Sequence, residues 1–168
     1  PAEIFGERYS FLDKSKTLSF EEIARLAQIF VSLGVKKVCL TGGEPLIRRN
    51  LQDLVSMLSE IPGIDDLTLT TNGYFLAEKA KDLKNAGLHR VTVSLDSIHD
   101  EVFQQMNGRG YKIQRVLDGI KEADHVGLSP IKINVVVQKG VNDFTVVDTA
   151  RYFKESGYIV RFIEYMDV

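Results

Sequence analysis

The sequence predicts an α/β protein in which parallel strands form one curved sheet, and three observations support this class. Five short runs rich in apolar and β-branched residues are separated by segments with helical periodicity. Within the runs, apolar residues alternate with polar ones, and the runs end in glycine or in polar residues. Helices between strands are typical of right-handed βαβ units. The 168 residues are enough for one domain, and we expect the strand ends to share one edge of its sheet.

Local signals predict each element in turn. Ser19 is a preferred N-cap residue, Glu21 and Glu22 follow in the first turn, and Gly34 ends the first helix. The apolar stripe of that helix is expected to comprise Ile23, Leu26, Ala27 and Phe30. Asn50 is expected to cap the second helix, over 51–60. The predicted strands are 35–40, 67–71, 90–95, 131–137 and 159–165, and the later helices are 75–85, 113–125 and one from Asn142-Asp143 to Lys154.

The alternation within the strands predicts two different sheet faces. Alternate residues of a strand point to opposite faces. The apolar set includes Val38, Leu40, Leu67, Leu69, Val91, Val93, Leu95, Ile133, Val135 and Val137. The polar set includes Lys37, Thr41, Thr68, Thr70, Thr92, Ser94, Asp96, Lys132 and Asn134. We expect helices on the apolar face and a polar cavity on the other, as in a barrel or half-barrel. The alternative is a half-exposed sheet whose threonines serve strand propensity.

Two lysines, Lys37 and Lys132, are predicted to point into this cavity. A buried ammonium without a partner costs several kcal/mol, so both need anions. A phosphate-bearing substrate would supply them, and internal pairing with Asp96 or Glu164 is the alternative. Lys132 could also be a Schiff-base lysine, as in barrel aldolases.

Composition and missing motifs exclude other classes of function. A net charge of −2 gives no case for nucleic acid or an anionic membrane. No transmembrane-length run and no signal peptide is recognised, and the single cysteine, Cys39, favours a reducing cytoplasm. There is no phosphate-binding loop, dinucleotide fingerprint, zinc spacing or serine-hydrolase context. The three histidines, His89, His99 and His125, are scattered, and no catalytic residue is assigned.

Residues 41–45, Thr-Gly-Gly-Glu-Pro, stand where the first strand ends. Two glycines there permit a tight turn and the close approach of a ligand. Together with residues 70–73, 93–97, 132–136 and 161–166, in this order, the segment resembles the GTP 3′,8-cyclases. These are radical S-adenosylmethionine enzymes, lyases that catalyse the first step of molybdenum cofactor biosynthesis. The resemblance covers essentially the whole chain.

The resemblance implies a partial (βα)6 TIM-like barrel with five of its six parallel strands present. It implies a [4Fe-4S] cluster that cleaves S-adenosylmethionine to a 5′-deoxyadenosyl radical, which abstracts hydrogen from the ribose of GTP to give (8S)-3′,8-cyclo-7,8-dihydroguanosine 5′-triphosphate. The implied S-adenosylmethionine contacts are Gly43, Glu44, Ser94 and Met166. The implied GTP contacts are Thr70, Lys132, Lys37 and Arg161. For the complete protein we expect a cytoplasmic location, no nucleic acid or membrane partner, and a homodimer as one possible assembly.

Two departures from the family stand out. The Cys-x-x-x-Cys-x-x-Cys cluster loop, which in the family directly precedes the segment resembling residues 1–3, is missing, and so are the first strand and the C-terminal region. We therefore expect residues 1–168 to be a barrel core truncated before Pro1 and after Val168, without metal ligands and inactive alone. Cys39 stands where the family has a GTP-contacting arginine, and a thiol cannot replace a guanidinium. A radical enzyme with another substrate and a non-catalytic nucleotide-binding remnant are the alternatives.

Overall fold

The computed structural model describes residues 17–108 and 110–166. Residues 1–3, which carry part of the resemblance, and Val168 lie outside this part. Helices and strands alternate along the chain as α1 Phe20–Ser32, β1 Lys37–Leu40, α2 Leu51–Ser59, β2 Asp66–Thr71, α3 Leu76–Asn85, β3 Arg90–Ser94, α4 Asp100–Asn107, α5 Ile113–His125, β4 Lys132–Val137, α6 Val146–Phe153 and β5 Ile159–Glu164. Short 3-10 turns, Pro45–Ile47 and Asp143–Thr145, follow β1 and precede α6.

The five strands form one sheet in the order β1-β2-β3-β4-β5, with every neighbouring pair parallel. Each helical crossover therefore returns the chain to the strand beside the previous one, as expected for right-handed βαβ units. The sheet is open, because its first and last strands do not pair. The predicted α/β class and the parallel sheet are confirmed.

The core lies between the sheet and its helices. The apolar strand residues are buried there, with Leu67, Leu69, Val91, Val93, Leu95, Ile133 and Val135 all at 1% exposure or less. Helix α5 comes close to the end of β2 because position 119 is glycine. A Cβ at Gly119 would lie 2.8 Å from the carbonyl oxygen of Gly73. This packing fixes the corner that follows β2, next to the carboxyl edge of the sheet.

Local signals predicted some helix ends and missed others. Ser19 forms the full capping box with Glu22, as its position at the start of α1 suggests. Asn50 does not cap α2 with its side chain. Its backbone is left-handed, with φ 56°, whereas a side-chain cap needs an extended residue. The stripe of α1 is only partly covered, since Ala27 is buried but Leu26 and Phe30 are 40% and 53% exposed.

Candidate functional site

The Gly-Gly-Glu turn is joined to the end of β2 by one carboxylate. Oε1 of Glu44 accepts hydrogen bonds from the Leu46 amide at 3.0 Å and from Thr71 Oγ1 at 2.7 Å. Its Oε2 accepts from the Asn72 amide at 2.8 Å. Gly42 adopts φ 135°, which a residue with a side chain rarely adopts. The backbone freedom of Gly42 and the hydrogen bonds of Glu44 therefore hold this turn at the carboxyl edge of the sheet.

A second contact anchors the turn on the other side. Nη2 of Arg48 donates to the carbonyl oxygen of Leu18 at 2.6 Å, and its guanidinium lies 4.4 Å from the centre of the Phe20 ring. A cation over an aromatic ring is attracted to the ring face. The turn is thus attached both to β2 and to the start of α1.

Ser94 lines a small cavity at the same edge. The cavity has a volume of about 260 Å³ and is bounded by Asn72, Ser94, Asp96, Phe103, Asn107, Tyr111 and Val116. Ser94 ends β3 and is exposed to this space. Oδ1 of Asp96 accepts from the Val136 amide at 2.9 Å, and burial raises the pKa of the Asp96 carboxyl above its ordinary value. The cavity therefore combines aromatic and polar walls.

A buried amide fixes the strand ends behind Ser94. The side chain of Asn142 is fully buried and donates through Nδ2 to the carbonyl oxygens of Asp96, at 2.7 Å, and Val136, at 2.8 Å. Its Oδ1 accepts from the Gln138 amide at 2.8 Å. One side chain thus connects the ends of β3 and β4, beyond the last paired residues of their ladder.

A larger cleft opens at the ends of β4 and β5. Its volume is about 780 Å³, and its walls are Val137, Gln138, Lys139, Asp143, Val146, Phe162, Ile163, Glu164 and Tyr165. Met166 follows directly and is 79% exposed. Gly43, Glu44, Ser94 and Met166, the predicted S-adenosylmethionine contacts, all follow or end strands at this one edge.

The polar face of the sheet carries four basic side chains. Lys37 and Lys132 were predicted there from the alternation, whereas Arg161 was predicted only as a GTP contact. Strand register places Arg161 and Arg90 on the same face. The charge of Arg90 is the main cause that lowers the pKa of Lys132 below its ordinary value, with smaller contributions from desolvation, Arg161 and Lys37. Mutual repulsion of this kind marks a surface that favours a bound anion.

Asp66 is the acid that faces these cations. Its carboxylate accepts from Nε of Arg90 at 2.9 Å and from Nη2 of the same side chain, and Nζ of Lys37 lies 3.7 Å away. The Arg90 hydrogen bonds lower the pKa of Asp66. Internal pairing of Lys37 with Asp96 or Glu164 is therefore wrong, because Asp66 is opposite Lys37 in the β1–β2 register. Lys132 has no ion pair within the described part of the chain.

Thr70 lies beside Cys39 on the polar face. Its Oγ1 lies 3.5 Å from Sγ of Cys39, and this thiol is exposed. Across the face, Nε of Arg161 donates to Oδ1 of Asn134 at 2.9 Å. The face is open rather than enclosed, yet Thr68 and Thr92 are buried at its centre. Thr70, Lys132, Lys37 and Arg161, the predicted GTP contacts, therefore share one polar surface.

Sequence reasoning missed Asp66 and Arg90. Asp66 precedes the predicted strand by one residue, and Arg90 was counted in a strand but not in its polar set. A signal was available, because Asp66 and Arg90 stand two residues before Thr68 and Thr92 and so share their face.

The residues present do not fit an iron–sulfur cluster. Such clusters are held by several cysteine thiolates, and the sequence has one cysteine. Within residues 17–108 and 110–166, no three His, Cys, Asp or Glu side chains are grouped as metal ligands. None of the helices in these ranges has the length and apolar character that crossing a membrane requires.

Comparisons with known proteins identify the family and the fold. The chain is 51% identical over its whole length to GTP 3′,8-cyclase of Staphylococcus epidermidis and 49% identical to that of Acidothermus cellulolyticus, covering 49% and 46% of those proteins. It therefore spans about half the length of the curated relatives it matches. The fold resembles native anSMEcpe with bound AdoMet, with TM-score 0.73, 18% identity and coverage of 97% of this chain and 47% of that one. HydG, a maturase of the [FeFe]-hydrogenase, gives TM-score 0.73 at 15% identity, covering 96% and 38%. Residues 5–153 match the Radical SAM superfamily, and the chain belongs to that superfamily.

Proposed function

We propose that these residues form the S-adenosylmethionine- and GTP-binding core of a GTP 3′,8-cyclase, the lyase that opens molybdenum cofactor biosynthesis. One observation carries the proposal. Four basic side chains lie on the polar face of the sheet, beneath the edge that carries the Gly-Gly-Glu turn. A triphosphate satisfies such a face, because charge-assisted hydrogen bonds to phosphate oxygens are strong. About half of the residues are identical to those of curated GTP 3′,8-cyclases.

S-adenosylmethionine is proposed to bind at the carboxyl edge, against Gly43, Glu44, Ser94 and Met166. A Cβ at Gly42 would meet nothing within 4 Å, so the turn leaves room for a ligand beside its backbone. A carboxylate has about four acceptor positions, and three in Glu44 are already filled by the protein. Glu44 therefore acts mainly by holding the turn, and one oxygen keeps capacity for a ligand donor.

GTP is proposed to bind across the polar face, with Lys37, Thr70, Lys132 and Arg161 as its contacts. These residues come from β1, β2, β4 and β5, so the whole GTP molecule, base, ribose and triphosphate, would extend across the sheet. In this superfamily, bound S-adenosylmethionine supplies a 5′-deoxyadenosyl radical. The role of these side chains is to orient the ribose toward the carboxyl edge and to neutralise the phosphates.

The complete protein is proposed to extend beyond these residues. Residues 1–168 would be its barrel core, and the cluster loop, a first strand and a C-terminal region would lie before Pro1 and after Val168. The length of the relatives supports this, since the chain covers about half of each. We further propose that the complete protein works in the cytoplasm as a homodimer, and that residues 1–168 alone are inactive.

The test is an anaerobic assay of the full-length protein with GTP, S-adenosylmethionine and a reductant. The expected result is 5′-deoxyadenosine together with the cyclised nucleotide. Lys132→Met should weaken GTP binding while S-adenosylmethionine binding stays the same, and Lys121→Met, on the exposed side of α5, is the matched control. Formation of 5′-deoxyadenosine with no consumption of GTP would point to another substrate and contradict the proposal.

One observation favours a second candidate, a radical enzyme of the same superfamily with a different substrate. Cys39, which the family resemblance predicts to stand in place of an arginine, contacts Thr70, a proposed GTP residue. The polar face therefore lacks one guanidinium. A substrate with fewer phosphates would fit such a face, and competition between GTP, GMP and guanosine for the full-length protein distinguishes the two candidates.

A further inference from the structure

Asp66 is a partly buried acid that contacts two basic side chains of the polar face. Arg90 donates hydrogen bonds from Nε to Oδ1 and from Nη2 to Oδ2 of the Asp66 carboxylate. Nζ of Lys37, on the neighbouring strand, lies 3.7 Å from the same Oδ2. The side chains of Arg90, Asp66 and Lys37 are 13%, 30% and 57% exposed. The Arg90–Asp66 pair is thus the fixed part of this cluster, and Lys37 is its solvent-facing end.

The cluster lies on the face proposed for phosphates. Thr68, two residues after Asp66, pairs with Arg90, and Thr92 pairs with Lys132, so Arg90 stands between Asp66 and Lys132 across the strands. The charge of Arg90, and to a smaller extent that of Lys37, lowers the pKa of Lys132, as expected for cations that share one face. A single negative charge at Asp66 partly balances them.

We propose that Asp66 is the resident counterion of this face, which pairs with Lys37 in the absence of substrate and is replaced there by a phosphate when substrate binds. This rests on the proposed function, in which the face takes a triphosphate. Asp66 thereby sets the affinity. Its charge repels the incoming phosphate, and the Lys37 pair must be broken before Lys37 binds the ligand. Arg90 is the positioning residue, because it holds Asp66 toward Lys37.

The experiment is calorimetric titration of the full-length protein with inorganic triphosphate and with GTP. Asp66→Asn keeps the size of the side chain and an acceptor for Arg90 but removes the charge. We expect it to bind triphosphate about three- to tenfold more tightly than the wild type, because a nearby like charge is removed. The gain should shrink at high salt, where the Debye length falls to about 3 Å at 1 M.

Asp65→Asn is the matched control. It makes the same change in net charge one residue away, at an exposed acid that pairs with Lys36 at 3.5 Å. Asp65 lies one residue before β2 and pairs with Lys36 instead of the cations of the polar face, so we expect less than about a twofold change in affinity. An equal gain in both variants would mean that only net charge matters and would overturn the proposal. Unchanged or weaker triphosphate binding in Asp66→Asn would also overturn it.

A second comparison does not depend on the folding of Asp66→Asn. Lys37 must leave Asp66 to bind phosphate, whereas Lys132 has no ion pair among the described residues. Lys37→Met should therefore weaken triphosphate binding less than Lys132→Met, and an equal or larger loss would contradict the counterion role. If the wild type binds triphosphate but not GTP, the proposed function fails and the counterion role stands. If it binds neither ligand, both fail.

Discussion

Glu44→Gln tests whether the Gly-Gly-Glu turn depends on a charged acceptor. The carboxylate of Glu44 accepts three hydrogen bonds, from the Leu46 amide, Thr71 Oγ1 and the Asn72 amide, at 3.0, 2.7 and 2.8 Å. Glutamine has nearly the same shape but only one acceptor oxygen. In either orientation of its amide, an N–H group faces a backbone N–H, so one backbone donor loses its partner.

The magnitude follows from this count of hydrogen bonds. A buried donor left without a partner costs about 1–3 kcal/mol. The remaining bonds lose their charge assistance and about half of their strength, or roughly 0.5–1 kcal/mol each. With one donor unpaired and two bonds weakened, we therefore expect Glu44→Gln to lower the free energy of unfolding by about 2–5 kcal/mol.

Urea denaturation of the full-length protein measures this change, with the slope against urea concentration compared between variants. Glu60→Gln is the control, because this acid lies exposed after α2 and should change stability by less than about 0.5 kcal/mol. A Glu44→Gln effect as small as that of the control would show that the carboxylate does not hold the turn. Its role would then be confined to ligand binding.

Three further predictions concern the polar face and the iron–sulfur cluster. Lys132→Met removes a charge-assisted hydrogen bond and should weaken GTP binding about ten- to hundredfold, as measured by calorimetry. Cys39→Arg should strengthen GTP binding. An unchanged GTP affinity in either variant would show that the substituted residue does not belong to the site. The pKa of Lys132 is lowered mainly by the charge of Arg90, and only the protonated form attracts phosphate, so GTP affinity should fall as pH rises, starting below the ordinary lysine value of 10.5. Iron–sulfur reconstitution of these 168 residues alone should leave no stable cluster by absorbance and iron analysis, because one cysteine is present.

The alternation of side chains predicted most of what positions the site. Strand period two correctly separated the apolar core residues, such as Val91 and Val93, from the polar-face residues that include Thr70 and Lys132. This signal works because a sheet covered by helices on one face imposes one environment on every second residue. The parallel order of the strands followed from the helical crossovers between them.

Tertiary contacts could not be predicted in the same way. The partners of Glu44 at Thr71 and Asn72 are 27 and 28 residues away, and no local pattern specifies them. Asn50 was expected to cap α2 because asparagine is common at such positions, yet the chain reverses there through a left-handed residue instead. Asp66 was missed because it lies one residue before the predicted strand, and Arg90 was missed because the first residue of its strand was not assigned to a face.

The sequential order of the strands has a consequence for how the protein opens. Every ladder joins neighbouring βα units, so local unfolding can begin at either end without disturbing the centre. The central strands β2 and β3 are nearly fully buried, whereas β1 and β5 are largely exposed. In the 168-residue chain studied alone, amide hydrogens of the two outer strands should therefore exchange first. Lys37 and Arg161 lie on those strands, so a ligand that spans both would slow exchange at the two margins of the sheet together.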